Sequence, residues 1–480
     1  MDKKKKIATK NVSTKFAAAS AWDKISPAEE KELQNYAKRY MDFLGTCKTE
    51  RETIDYLIEK AQRNGFKPID GGQAAGSLKP GSKVYWVSKN RALCIAVIGK
   101  QPISDGFKIV AAHHDVPHLD LKALPLYEKH KLAFLKTHYY GGIKKFHWCA
   151  IPLALHCFLI TKSGKHLSFS IGEKPNDPVF TITDLPPHLS YKIQNDRKAT
   201  EVFKAEELNI LAANRPKPAK GDEKIEEPVK AAVLEKLQKE YGIQEEDLAW
   251  AEIAAVPAFS PREVGFQGDM IGGFGHDDRA CVMAAFEAIN EVKVPENTAV
   301  VILIDKEEVG SGGASGAQSM MVPDFLCLLV EATTRVSSYS FLRKVLGASM
   351  VLSADTNAPI DPNFEAAWDA QNSGLLGSGV WICKFTGSAG KSGSSEADVE
   401  FIARIRNLLT AGKIPYQFGE MGKVDEGGGG TVAKFFAQLN MHVLDLSLPV
   451  LGLHSPFEVL SKIDYHYTVK AYKAFLEKKF

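Results

Sequence analysis

The chain has 480 residues, 45% hydrophobic and 25% charged, enough for about two to four ordinary cores and unlike a disordered chain. With 60 Lys and Arg against 58 Asp and Glu, the net charge of +2 offers nothing to a polyanionic partner such as nucleic acid. Seven scattered cysteines, an odd number with no Cys-x-x-Cys pair, point to reduced thiols in the cytoplasm and exclude a disulfide framework.

In chain order, five lysines within residues 1–10 are followed by no apolar core, so no signal peptide is expected. Ser26-Pro27-Ala28-Glu29-Glu30 opens a helix over residues 26–47: Ser caps, Pro suits the first turn, and Glu favours the positive helix end. A second helix is expected over residues 49–64, closed by Gly65, and strands over 83–87, 92–98 and 107–112. The last of these runs into His113-His114-Asp115-Val116-Pro117. From residue 118 to 257, short alternating stretches broken by Gly and Pro predict an inserted β-rich domain, with a charged helical interval near 223–240 as a solvated excursion. The apolar stretch 146–160 falls short of the roughly 20 residues of a membrane span, and no membrane segment is expected.

The α/β rhythm resumes at Gly275-His276-Asp277-Asp278-Arg279, ahead of a helix on which Val282, Phe286 and Ile289 share a face. Asp277 therefore opens a helix, where a carboxylate taken alone is more simply a cap than a ligand. Ala299-Val300-Val301-Ile302-Leu303-Ile304 reads as a buried strand that ends in Asp305-Lys306-Glu307-Glu308-Val309-Gly310. Alone, that acidic pair is most simply a solvated surface feature. Met350-Val351-Leu352 leads through Ser353 and Ala354 into Asp355. A strand over 380–385 sets Lys384 on the face of Val380 and Ile382. A helix over 395–410, four glycines at 427–430 and a strand over 441–446 precede Leu451-Gly452-Leu453-His454-Ser455-Pro456.

His113, Asp115, Asp277, Glu307, Glu308, Asp355 and His454 are thus nitrogen or oxygen donors near strand ends or helix starts, where open α/β sheets bind ligands. Two imidazoles and several carboxylates without thiolates suit zinc, cobalt or manganese, and a shared Asp suits two ions better than one. The expected architecture is α/β: a mixed central sheet flanked by helices, drawn from residues 1–117 and 258–480, with the β-rich domain 118–257 inserted.

The order His113-x-Asp115, Gly275-x-Asp277-Asp278-Arg279, Glu307-Glu308-Val309-Gly310-Ser311, Ser353-Ala354-Asp355 and Leu451-x-x-His454-Ser455 resembles the aspartyl aminopeptidase and vacuolar aminopeptidase I family of dinuclear zinc exopeptidases. The likeness spans about residues 107–456, and Tyr140-Gly141-Gly142 is also similar. It implies one divalent ion on His113, Asp277 and Asp355 and a second on Asp277, Glu308 and His454. Glu307 is then the general base toward a metal-activated water, and Asp115 orients the His113 ring. It also implies peptide substrates with a free N-terminus and a homo-oligomer, up to a dodecamer, assembled through the inserted domain.

Lys384 resembles a lysine that family members use against acidic substrate side chains. His147, in Lys145-Phe146-His147-Trp148, is either a substrate histidine displaced by one position from the family's Trp-His or a packing residue. Thr356-Asn357-Ala358-Pro359-Ile360-Asp361 stands where acidic-specific members carry histidines, so acidic and neutral N-terminal residues both remain open. Two competing readings are a dinuclear amidohydrolase, either deacylase or carboxypeptidase, which would need a basic clamp, and a non-catalytic assembly protein.

Overall fold

The computed structural model describes residues 20–479 apart from Glu223, Arg335 and Ser337, so the lysine-rich start lies outside the described residues. After a short 3₁₀ turn at Ala21–Lys24 come two α-helices, each with a reciprocal cap. In Pro27–Thr46 the Ser26 hydroxyl accepts the Glu29 N–H while the Glu29 carboxylate accepts the Ser26 N–H. In Glu50–Arg63 Thr49 and Glu52 repeat the arrangement, and Gly65 at φ +84 ends the run in the left-handed region. Leu33, Tyr36, Ala37, Tyr40, Phe43 and Leu44 form the buried stripe of the first helix, which packs on His276–Glu291 and Lys462–Glu477.

The central sheet has nine strands in the order Lys67–Pro68, Lys83–Ser88, Ala92–Val97, Ala299–Ile304, Lys108–His113, Met350–Ser353, His442–Ser447, Val380–Cys383 and Tyr416–Phe418. Lys108–His113 sits between Ala299–Ile304 and Met350–Ser353 and runs parallel to both, with Ile304 opposite His113 and Ser353 opposite Ala111. These strands are covered on both faces. Val110, Ala112, Val301, Leu303 and Leu352 belong to one apolar layer, and Ile109, Ala111, Val300, Ile302 and Val351 to the other. Each Val, Leu or Ile so buried is worth about 1.5–3 kcal/mol, more than the roughly 1 kcal/mol span of intrinsic strand preference, so the continuous apolar run decides the strand. The parallel register then brings three carboxyl ends to one edge, where His113 closes one strand and acids follow the other two.

Residues 118–257 carry a separate, fully antiparallel six-stranded sheet, in the order His166–Ile171, Leu153–Ile160, Glu252–Pro257, His118–Lys129, Leu132–Tyr140 and Asn209–Ala213. It has its own apolar cluster around Leu119, Trp148, Leu153, Ile210 and Val256. The charged interval folds as the helix Pro228–Tyr241, which rests on this sheet through buried Val229 with Val233, Leu234 and Leu237 beside it.

His118 begins the inserted sheet five residues after His113 ends its strand. Its Nδ1–H donates to the Val116 carbonyl at 2.7 Å, its Nε2 lies 3.0 Å from Asp120 Oδ1, and its ring stacks on Tyr140. Burial favours the neutral ring, but Asp120 outweighs it and raises His118 from 6.5 to about 9. A raised folded value means that the stability is full below pH 6.5 and drains as pH rises through about 9. Because Asp120 is half exposed, solvent trims the pair. Asp120→Asn is expected to cost about 1–2 kcal/mol at pH 6 and distinctly less at pH 9.5, measured by thermal unfolding at both.

Candidate metal centre and active site

His113 donates its Nδ1–H to the Asp115 carbonyl at 3.0 Å. A carbonyl only accepts, so Nε2 is the nitrogen turned toward the cleft, 3.5 Å from Asp277 Oδ1 and 3.8 Å from Asp355 Oδ1. His454 is held in the same way from the opposite side. Its Nδ1–H donates to the Gly142 carbonyl of the inserted segment at 2.7 Å, and Nε2 lies 3.1 Å from Asp277 Oδ2 and 3.4 Å from Glu308 Oε1. Asp277 thus shows a different oxygen to each histidine. Its backbone is not helical, with φ −81° and ψ 110°, and its carboxylate takes the Thr356 hydroxyl at 3.0 Å.

The acidic pair sits in a single 3₁₀ turn, Glu307–Val309, between Lys306 at φ +73 and Gly310 at φ +90. Asp115 holds this turn in place. Its carboxylate accepts the Glu307 N–H at 3.0 Å, the Glu308 N–H at 3.1 Å and the Tyr140 hydroxyl at 2.7 Å, and lies 3.5 Å from His113 Nδ1. The Asp115 carbonyl therefore aims the His113 ring, while its side chain anchors both glutamates. Burial opposes the charge on Asp115, yet His113 and then Tyr140 keep it down at about 2.

The other carboxylates crowd one another. Burial, then the charge of Asp355, pushes Glu307 up to about 8, and burial, then Asp277, raises Glu308. Asp355 is raised chiefly by burial. Glu308 Oε1 and Asp278 Oδ1 are buried without a hydrogen bond. Donor atoms of His113, Glu307 and Asp355 lie within 4.8 Å of one another, as do those of His113, Asp277 and Glu308, and those of Asp277, Asp278 and Asp355. Buried, mutually repelling oxygens beside imidazole nitrogens fit a divalent cation of the zinc type, which offsets the repulsion and takes up the unpaired oxygens.

Three contributors went unread in the sequence. Asp278 accepts the His113 N–H at 3.3 Å, and Thr356 and the Gly142 carbonyl hold Asp277 and His454. The Asp-Asp dipeptide was a visible signal for the first. For Gly142 the only signal was the Tyr140-Gly141-Gly142 likeness, because a backbone carbonyl leaves no side-chain trace.

The centre lies at the foot of a cleft of about 300 Å³ whose outer wall includes Phe385, Met421, Val424 and the glycines at 427–430. Gly387–Ser388 pairs with Gly428–Gly429 along this wall, and a Cβ on Gly428 would meet the Gly387 carbonyl oxygen at 2.1 Å, so that position requires glycine. Thr431 ties the loop down by donating to buried Asp445 at 2.7 Å. Lys384 lies past the end of the strand Val380–Cys383, which stops two residues short of the expected 380–385. Its side chain is 53% exposed and 3.6 Å from Glu396, and the cleft is lined by Lys391, Lys423 and Glu420 instead. His147, in the turn Lys145–Trp148, faces an apolar hollow with Phe259 and Phe457 rather than the cleft.

Comparison with known proteins agrees with this geometry. The family model "Aminopeptidase I zinc metalloprotease (M18)" matches residues 43–476. A "Probable M18 family aminopeptidase 1" of Clostridium acetobutylicum is 42% identical over 458 residues, covering 95% of this chain and 97% of that one. The crystal structure of an M18 aminopeptidase from Thermotoga maritima superposes with a TM-score of 0.91 at 39% identity, over 97% of this chain and 100% of that one. The mApe1 dodecamer of Saccharomyces cerevisiae shares the fold at a TM-score of 0.73 and 18% identity, over 93% of this chain and 97% of that one. The mixed sheet with its cluster of strand-end acids and histidines accordingly belongs to an M18 family member, a zinc metalloprotease that removes N-terminal residues from peptides.

Proposed function

We propose that this aminopeptidase works with two divalent ions, zinc foremost with cobalt or manganese as substitutes, and releases an acidic or neutral N-terminal residue. One ion is held by His113, Asp277 and Asp355, the other by Asp277, Glu308 and His454. The observation that carries this reading is the division of Asp277, whose Oδ1 is 3.5 Å from His113 Nε2 and whose Oδ2 is 3.1 Å from His454 Nε2. When bound, the ions supply Lewis-acid polarisation and a water of lowered pKa. Glu307 lines the cleft with its carboxylate close to the donors of His113 and Asp355, where a base toward a water held between them would stand. It takes a proton from the attacking water and returns it to the leaving amine. Asp115, by accepting both amides of the turn, keeps that carboxylate from swinging away.

The chain is read as a catalytic unit from residues 1–117 and 258–480 with an oligomerisation unit from 118–257. The separate apolar cluster of the inserted sheet and the dodecameric yeast relative support a homo-oligomer, whose molar mass in solution tests it. Seven free cysteines support a cytoplasmic site of action. No helix among the described residues is long and apolar enough to cross a membrane.

The test is a panel of aminoacyl amides, assayed with zinc, cobalt and manganese in turn. Turnover of free-amine substrates and none of N-acetylated ones separates an aminopeptidase from a deacylase. Within that panel Lys384→Ala is expected to slow Asp and Glu substrates by about 3- to 10-fold and leave Leu unchanged, because the ammonium, outside the cleft lining but joined through Glu396 to Lys391 on its wall, would meet an acidic side chain at the cleft's margin. An equal loss on Leu would remove Lys384, and a parent-like rate on Asp and Glu would remove acidic recognition by it. His147 remains a candidate substrate contact only if the peptide extends past His454 toward Phe457.

A further inference from the structure

Glu458 opens the strand Glu458–Ser461, opposite Gly273 of Met270–Gly273, and is 1% exposed. Among the described residues it forms no salt bridge. Its two oxygens instead receive two backbone N–H groups from separate parts of the chain, His454 N–H at 2.7 Å on Oε1 and Asp277 N–H at 3.1 Å on Oε2. Neither donor has ordinary local geometry: His454 is in the left-handed region at φ +62 and Asp277 interrupts the start of its helix. Burying a carboxylate with no direct ion pair, only the more distant charges of Arg279 and His454, is costly, and a fold needing only to fill this space would be served by an apolar side chain. A carboxylate offers something else, two acceptors on one rigid group that join the Asp277 segment, 181 residues away in sequence, to the His454 segment, four residues away.

We propose that Glu458 is a positioning residue of the metal centre: by accepting both amides it sets the span between Asp277 and His454 and thereby the second metal position. The proposal rests on Asp277 and His454 being ligands. It concerns how they are held, since Glu458 itself touches neither side-chain donor.

The test compares metal-free parent, Glu458→Gln, Glu458→Asp and His454→Ala, each checked for folding by circular dichroism. Zinc is titrated against a chromophoric chelator, and cobalt(II) is added as a spectroscopic probe. Gln keeps the volume but turns an NH2 toward one of the two N–H groups. Glu458→Gln is expected to bind one of two zinc equivalents about 10- to 100-fold more weakly, with the visible cobalt band of that equivalent altered and the other unchanged. Asp keeps both acceptors, set back by one methylene, and should fall between Gln and parent. His454→Ala should lose the same equivalent. A parent-like Glu458→Gln beside a defective His454→Ala overturns the positioning role alone, whereas a parent-like His454→Ala overturns the ligand assignment and the proposal with it. If neither Glu458 variant folds, with or without zinc, Glu458 belongs to the fold and the proposal fails.

Discussion

Glu307→Gln is expected to fold and to hold zinc as the parent does, yet to turn over aminoacyl amides roughly 10²- to 10⁴-fold more slowly, the range removed with a general base. The substitution is nearly isosteric, and Asp115 grips the Glu307 backbone N–H, which Gln retains. What disappears is a carboxylate able to receive a proton in the cleft, so the loss should fall on kcat with KM little changed. Zinc analysis of the same variant guards the interpretation, because a Glu307 oxygen lies within 4.8 Å of donors on His113 and Asp355. Loss of zinc along with activity would make Glu307 a ligand; full activity would end its assignment as the base.

Asp277→Asn is expected to remove both metal positions together, leaving less than about one zinc per chain after dialysis and no measurable turnover. Asn supplies one acceptor and one NH2, so one of the two histidine-facing oxygens becomes a donor group. Unfolding is not expected, since the change removes a negative charge from a crowd in which Glu307 and Glu308 are already pushed upward. Elemental analysis and a melting curve check both parts. Two zinc ions retained in a folded Asp277→Asn protein would show that the two positions do not share this residue.

Much of the centre was legible along the chain because its donors terminate strands, and strands announce themselves by composition. Ala299–Ile304 is apolar at every position since both faces are covered, and the same coverage explains Lys108–His113 and Met350–Ser353. The helices at Pro27–Thr46 and Glu50–Arg63 were equally plain, their caps being contacts across three residues. Asp277 was harder. A Gly-His-Asp-Asp run before an amphipathic stretch reads as a helix start, but the first turn is held out of helical geometry, with Asp277 bound to Thr356 and Glu458. The placing of Lys384 on a strand face failed for a different reason, since the strand stops at Cys383 and alternation has no meaning past the last paired residue.

The amino-acid sequence by itself determined which donors exist, that they close strands or open turns, and that they are imidazoles and carboxylates suited to zinc. Those features are local, written in runs of a few residues and in the periodicity of burial. Only the tertiary structure decided which strand lies beside which, that Asp115 anchors Glu307 and Glu308, that Gly142 of the inserted segment aims His454, and that Glu458 joins His454 to Asp277. The physical reason is that non-local strand pairing and hydrogen bonds between distant residues depend on the summed packing of whole layers. No short stretch records which partner another segment will bring.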